Sequence, residues 1–383
     1  MGREPNRPRL EKFWSRGPSL ATAPLWLPLA AAAAVYRPAV AGRNLWWRFM
    51  ARQAPVTTIS VGNLTVGGNA KTPFTLWLAR RLARRGLAVG IASRGYRRRP
   101  ATMRAALVAD RGELKLGLDE AGDEPAMMAR SFDGPIAVAR RRIDAVTLLA
   151  ERAPIDVVIL DDGFQHTALR RDADLVLVNR ERGFGNGWML PAGPMREPIR
   201  ALGRADAVIL ISTGGSRPAA LGAANISKLQ RHTLLNARLR PRALVAPERG
   251  TWRETSPALA GRQVIALSGL ADPAGFYAML RELEADLVGV LEYPDHHVYT
   301  SADWQAIAAA ARDADVVVTT EKDLVKLERF PFARDSLYAL RIEVTMAEDE
   351  ARVLDDLILP KLRSPKIEAP AATRIEEVSR DAR

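Results

Sequence analysis

The stretch SVGNLTVGGNAKTPF (60–74) places Lys71 and Thr72 at the end of a glycine-containing turn that leads into a helical pattern. Successive backbone N–H groups in such a turn, aided by the positive end of the following helix, cradle phosphate oxygens. In that reading Thr65, Val66, Gly67, Gly68, Asn69 and Ala70 form the nucleotide loop. Lys71 neutralises the outer phosphates, and the Thr72 hydroxyl sits on Mg²⁺. The usual pattern has glycine immediately before the lysine, and this chain has Ala70. We expect a negative φ at Ala70, where a methyl group is harmless, with Asn69 absorbing any left-handed turn. Taken alone, the motif fits either a nucleotide site or a structural glycine turn.

Two acidic pairs and a histidine motif follow. DVVILDDGFQH (156–166) is an apolar strand that delivers Asp161 and Asp162 at its C-terminal end, where a P-loop fold holds magnesium; the alternative is a solvated acidic turn. GDEP (122–125) offers Asp123 and Glu124, which could serve a site or simply start a helix, since Asp caps well and Pro suits a first turn. EYPDHHVYT (292–300) carries Asp295, His296 and His297. No further histidine cluster completes a metal site with them, so a histidine orienting a catalytic carboxylate is the better functional reading, beside a loop histidine with no role. TTEKD (319–323) has Lys322 and Asp323 adjacent, the wrong order for reading guanine. The chain has no cysteine, which excludes disulfides, thiolate metal sites and cysteine nucleophiles.

The elements that must position these residues are legible as short apolar runs. Strands are expected at 57–62, 88–93, 135–139, 156–161, 173–178 and 205–212, each continuous in Val, Ile and Leu as in parallel sheets buried on both faces. Helix-period stretches lie between them, such as 73–86, which ends in glycine. A second series begins at 263–269 and continues at 287–293 and 314–323. The fold class expected is α/β: a P-loop NTPase-like parallel sheet domain, a second, smaller α/β domain and an N-terminal membrane-associated hydrophobic helix. The expected boundaries are 1–52 for the N-terminal segment, 53–230 for the P-loop domain and 231–262 for a linker. The smaller domain is expected at 263–364 and a mobile tail at 365–383.

From Gly17 to Tyr36 the chain is uncharged, long enough as a helix to match a hydrocarbon core, yet broken by Pro18, Pro24 and Pro28. Arginines flank it on both sides, and Trp46, Trp47 and Phe49 follow. That pattern fits a segment lying in or dipping into a membrane interface better than a spanning helix; a cleaved signal peptide is the alternative. The net charge is +12, and only eight of the 56 basic residues are lysine. The arginine excess suits an anionic partner, a phosphorylated substrate or an anionic bilayer surface, or else reflects a GC-rich genome. Aromatic residues are few and no nucleic-acid-binding module is recognisable, so no nucleic-acid partner is expected.

Taken in order, ISVGNLTVGGNAKTP (59–73), SRGY (93–96), GDEP, LDDGFQH (160–166), LPAGPMREP (190–198), PDHH (294–297) and TTEKD resemble the tetraacyldisaccharide 4'-kinase family, the lipid A 4'-kinases. Ala70 departs from the family's usual glycine. The resemblance implies two α/β domains with the active site in the cleft between them. It also implies transfer of the γ-phosphate of Mg·ATP to the 4'-hydroxyl of an acylated glucosamine disaccharide 1-phosphate, at the cytoplasmic face of the inner membrane. It implies Asp123 as general base, His296 as its orienting partner and Arg196 as a charge stabiliser. Gln165 and His166 would line the nucleotide site, Glu124, Asp161, Asp162 and Glu197 would join Thr72 around the metal, and Arg94 and Tyr96 would line the cleft. Rival readings are another P-loop enzyme, a membrane-associated ATPase or a small-molecule kinase, and a nucleotide-dependent membrane tether; a plain ATPase needs no acceptor-hydroxyl base supplied from a second domain.

Overall fold

Burial on both faces explains why the apolar runs form strands. The computed structural model describes residues 14, 23–68, 70–95, 103–152, 154–214, 229, 231–248, 251–330 and 336–362. Expectations for Asn69, Tyr96, the stretch 17–22 and the tail 365–383 lie outside the described residues. The first series is β1 (Thr57–Asn63), β2 (Val89–Ser93), β3 (Ala105–Asp110), β4 (Glu113–Leu114), β5 (Ile136–Ala139), β6 (Val157–Asp161), β7 (Ala173–Asn179) and β8 (Ala207–Ser212). Every residue of β1, β2, β5, β6 and β7 is buried. Their order is β5-β2-β6-β1-β7-β8, with all neighbours parallel. Strand β1 is central, so the loop after it opens at the carboxyl edge of the sheet, where α/β folds bind ligands.

The helices of this half are α1 (Ala23–Met50), α2 (Lys71–Arg84), α3 (Leu118–Ala121), α4 (Asp123–Ala129) and α5 (Arg142–Arg152). Helix α2 buries Phe74, Leu78 and Leu82, one turn apart, against the sheet. It stops before Gly86, whose φ of 83° ends the helix as expected. Helix α1 turns Tyr36, Val40 and Asn44 inward: Val40 packs with Leu64 and Phe164, and Asn44 reaches Glu197 at 2.7 Å. Its opposite face leaves Leu27, Val35, Leu45, Trp46 and Phe49 exposed. No helix among the described residues is long and apolar enough to cross a membrane.

The second series is β9 (Thr233–Glu248), β10 (Thr251–Thr255), β11 (Gln263–Ser268), β12 (Asp286–Glu292), β13 (Val316–Thr320) and β14 (Leu337–Thr345), with α6 (Ala274–Glu282), α7 (Ser301–Ala310), α8 (Glu321–Leu327) and α9 (Glu348–Leu362). The stretch 231–262, expected as a linker, is corrected here: most of it is strand. The first part of β9 runs parallel to β8, Thr233–Arg238 opposite Ala207–Ser212. Its second part runs antiparallel to β14, Arg238–Val245 opposite Thr345–Ala339. The register shifts between Arg341 and Ile342, beside Pro241, which has no N–H to give the ladder. One strand thus joins both series into a single sheet. The run expected as strand to 323 ends at Thr320, whose hydroxyl accepts the Asp323 N–H and caps α8.

Candidate active site

The glycine-containing loop after β1 is pinned from outside by the LPAGPMREP segment. The Val66 N–H donates to Pro194 O at 2.8 Å, and the Arg196 N–H donates to Leu64 O at 2.7 Å. Gly62 permits the other wall: a Cβ there would lie 2.5 Å from Phe164 Cβ, so only glycine lets the Asp161–Asp162–Gly163–Phe164 turn close over β1.

Ala70 corrects an expectation. Its φ is 55° and ψ 28°, left-handed rather than negative. The chain reverses there from loop into α2 while its carbonyl already accepts the Phe74 N–H at 3.0 Å, and no side chain caps the helix. The turn therefore forces a conformation that costs an L-residue about 1–2 kcal/mol. Ala70→Gly should raise the unfolding free energy by about 1 kcal/mol in urea titration; equal or lower stability would contradict the strain.

Asp162 sits between two cations, Lys71 and Arg196. Lys71 Nζ lies 2.7 Å from Asp162 Oδ1, and Arg196 donates to both Asp162 oxygens at 3.1 and 3.0 Å. Arg196 also donates to Gln165 Oε1 at 3.3 Å, while Gln165 Nε2 donates to Asn63 O at 2.7 Å. Burial opposes ionisation of Asp162, but the Lys71 and Arg196 cations hold its carboxyl well below the usual range. Asp161 has the opposite fate. Burial, with Glu124 and Asp162 nearby, pushes it up to about 7. Its hydrogen bonds come from the hydroxyls of Thr72 at 3.3 Å and Thr75 at 3.1 Å, not from a cation.

Thr72 and Asp161 present hard oxygen donors side by side, which fits Mg²⁺. No cluster of three or more metal-ligating side chains gathers among the described residues.

The second acidic pair meets the histidine motif. Asp123 opens α4, but Gly122 is the cap residue and makes no side-chain cap bond. The Asp123 carboxylate instead lies 3.0 Å from His296 Nδ1, with Lys326 Nζ at 4.0 Å. Burial works against its charge, yet His296 and the lysines hold the carboxyl below its ordinary value and keep it ionised. Ala70, Asp162 and His296 are three of the five non-glycine residues with positive φ among the described residues. Such strain concentrates where geometry is imposed for function.

Other expected residues are placed less directly. Glu124 is close enough to raise Asp161. His166 accepts the Arg142 N–H on Nε2 at 3.3 Å, and burial with neighbouring arginines lowers it to about 4, so it is neutral. Arg94 is exposed. Glu197, expected around the metal, turns elsewhere: its carboxylate, fully buried, takes Asn44 at 2.7 Å and Arg204 at 3.0 Å. It thereby ties α1 to the segment carrying Arg196. His297 stacks on Tyr293 and pairs with Asp303 at 3.1 Å.

Two groups escaped the sequence reading. Arg142 is buried and donates to Asp161 O at 3.1 Å, but it stands in an arginine run that gave no signal. Lys322 and Lys326 both face the Asp123–His296 pair; two lysines four apart, in a chain so poor in lysine, were the available clue.

The family model for tetraacyldisaccharide-1-P 4'-kinase matches residues 25–362. The chain belongs to this family. Among its relatives, a tetraacyldisaccharide 4'-kinase of Syntrophobacter fumaroxidans is 37% identical over 356 residues, covering 90% of each chain. One from Anaeromyxobacter sp. strain K is 41% identical over 359 residues, covering 88% of this chain and 91% of that one. A crystal structure of LpxK from Aquifex aeolicus in complex with ATP superposes with a TM-score of 0.71 at 29% identity, covering 88% of this chain and 99% of that chain. Membership makes this chain a kinase of lipid A biosynthesis, and the loop around Lys71 falls within the matched region.

Proposed function

We propose that the protein transfers the γ-phosphate of ATP to the 4'-hydroxyl of an acylated disaccharide 1-phosphate, with Asp123 as general base and His296 orienting it. The observation that carries this reading is the Asp123–His296 contact, made between residues of the first and second strand series. An ATPase or a tether needs no such base for an acceptor hydroxyl, whereas a sugar hydroxyl at neutral pH does. In this reading the loop 65–70, with Lys71, Gln165 and His166, holds ATP. Arg196 meets charge developing on the phosphoryl group, and Thr72, Asp161 and Asp162 hold Mg²⁺ or its water shell, with Glu124 adjacent. Bound Mg²⁺ supplies charge neutralisation at the phosphates.

A membrane-bound acceptor requires the enzyme at a bilayer. The exposed row Leu27, Val35, Leu45, Trp46 and Phe49, with Arg37, Arg43 and Arg48 on the same helix, supports anchoring on the anionic cytoplasmic face of the inner membrane.

Incubation with Mg·ATP and the disaccharide 1-phosphate in detergent tests the activity. A product carrying one added phosphate at the 4' position is expected. ATP consumption without transfer to a verified acceptor would favour the ATPase, and ATP binding without turnover the tether.

A further inference from the structure

Helix α8 sets two lysines against the proposed base and its partner. Lys322 Nζ lies 3.2 Å from His296 Nε2, and its side chain is only 14% exposed. Lys326, one turn later and 6% exposed, lies 4.0 Å from Asp123 and 2.8 Å from Asp323. A lysine ammonium has three donors and no acceptor. Facing Nε2, it can only donate, so that nitrogen must present its lone pair. The ring proton then sits on Nδ1, where it donates to Asp123 Oδ2 at 3.0 Å.

We propose that Lys322 is a positioning residue for the phosphoryl transfer, holding the His296 ring neutral with its proton on Nδ1. The proposal rests on the reading of Asp123 as general base. With Oδ2 held by the ring, Oδ1 receives the proton from the acceptor hydroxyl. The acceptor O–H bond breaks and Oδ1–H forms as the new O–P bond forms. The bond from phosphorus to the β–γ bridging oxygen breaks, and its electron pair leaves with ADP. A doubly protonated ring would spoil this in two ways. Its Nε2–H would point at an ammonium, and its positive charge would make Asp123 a weaker base.

The charges around the ring are opposed. Asp123 from α4 and Asp295 from the ring's own loop, whose Oδ2 is 3.8 Å from Nε2, draw a second proton onto it. Lys322, itself paired with Asp295 Oδ1 at 2.7 Å, and Lys326 beyond Asp123 resist. Without Lys322 the ring lies between two carboxylates, with no ammonium facing its Nε2.

Nitrogen-15 NMR of the full-length protein, with the His296 signals assigned by their loss in His296→Gln, reads the ring directly. The wild type is expected to keep Nδ1 protonated and Nε2 bare from about pH 8 to about pH 6, the range spanning the ordinary imidazole midpoint. In Lys322→Met the ring should gain a second proton over that range. Its kcat should fall about tenfold toward the acid end while KM for ATP stays within about twofold. Lys322→Arg, also donor-only, should restore both. A wild-type ring carrying its proton on Nε2, or two protons at neutral pH, overturns the proposal. So does a Lys322→Met protein with unchanged titration and a flat kcat profile. If Lys322→Met does not fold, the wild-type spectrum still decides. The expected spectrum without any transfer to the disaccharide would defeat the proposed function alone; normal transfer with the wrong ring state would defeat this proposal alone.

Discussion

Asp123→Asn should lose about 10²- to 10⁴-fold in kcat, the usual worth of a general base, while KM for ATP changes little. The amide keeps the size of the side chain and can still meet His296, so α4 and its packing survive. What disappears is the capacity to accept a proton. The loop before Lys71 is built separately, held by the 194–196 segment and by the Lys71–Asp162 pair, and the substitution touches none of those contacts. The split between kcat and KM therefore separates a base from a structural residue, whose loss would weaken both. Steady-state kinetics on purified enzyme with saturating disaccharide makes the measurement. Turnover at the wild-type rate would end the assignment of Asp123.

Lys71→Met should reduce kcat/KM for ATP by about 10²- to 10³-fold. Unlike the Asp123 variant, it should raise KM as well. Lys71 is bound to Asp162 and lies 3.4 Å from Asn63 Oδ1, with its side chain only 14% exposed. In the proposed site ATP would draw this ammonium from Asp162, leaving Asp162 to Arg196. Methionine fills the space but offers nothing to the phosphates, and Asp162 keeps only the Arg196 contact. Lys71→Arg should recover little, because a planar fork does not replace a point charge in a tight backbone cradle. ATP titration with initial-rate kinetics checks both variants. An unchanged kcat/KM in Lys71→Met would remove the lysine from the site.

Much of this was legible before any coordinates. All six strands expected in the first series formed within two residues of their bounds, because fully buried parallel strands write continuous apolar runs. The acids at the end of β6 were readable for the same reason: a carboxylate after an apolar run has one face of the sheet edge to occupy. Strand β9 was missed because Leu235, Ala237 and Leu239 face inward and alternate with exposed Asn236 and Arg238. That two-residue rhythm is easily lost among arginines and Pro241. Ala70 was misjudged on the assumption that a chain avoids a small local penalty, whereas the loop and the first turn of α2 leave the backbone no alternative. Glu197 was carried over from the family motif, which does not say where each side chain turns; here it faces Asn44 and Arg204. The spacing of the two α8 lysines was a clue, but their target was not readable: only the fold brings Lys322 to His296 and Lys326 to Asp123.

Because β9 completes the ladder of β8 and of β14 at once, neither half of this enzyme is a separable module. A gene fragment ending after β8 would leave that strand's hydrogen-bonding edge bare, and a fragment beginning after β9 would do the same to β14. Bare edges recruit strands from other chains. The kinase is therefore a poor subject for splitting, domain exchange or reassembly from pieces, and a shuffled descendant would have to carry the shared strand with whichever half it kept.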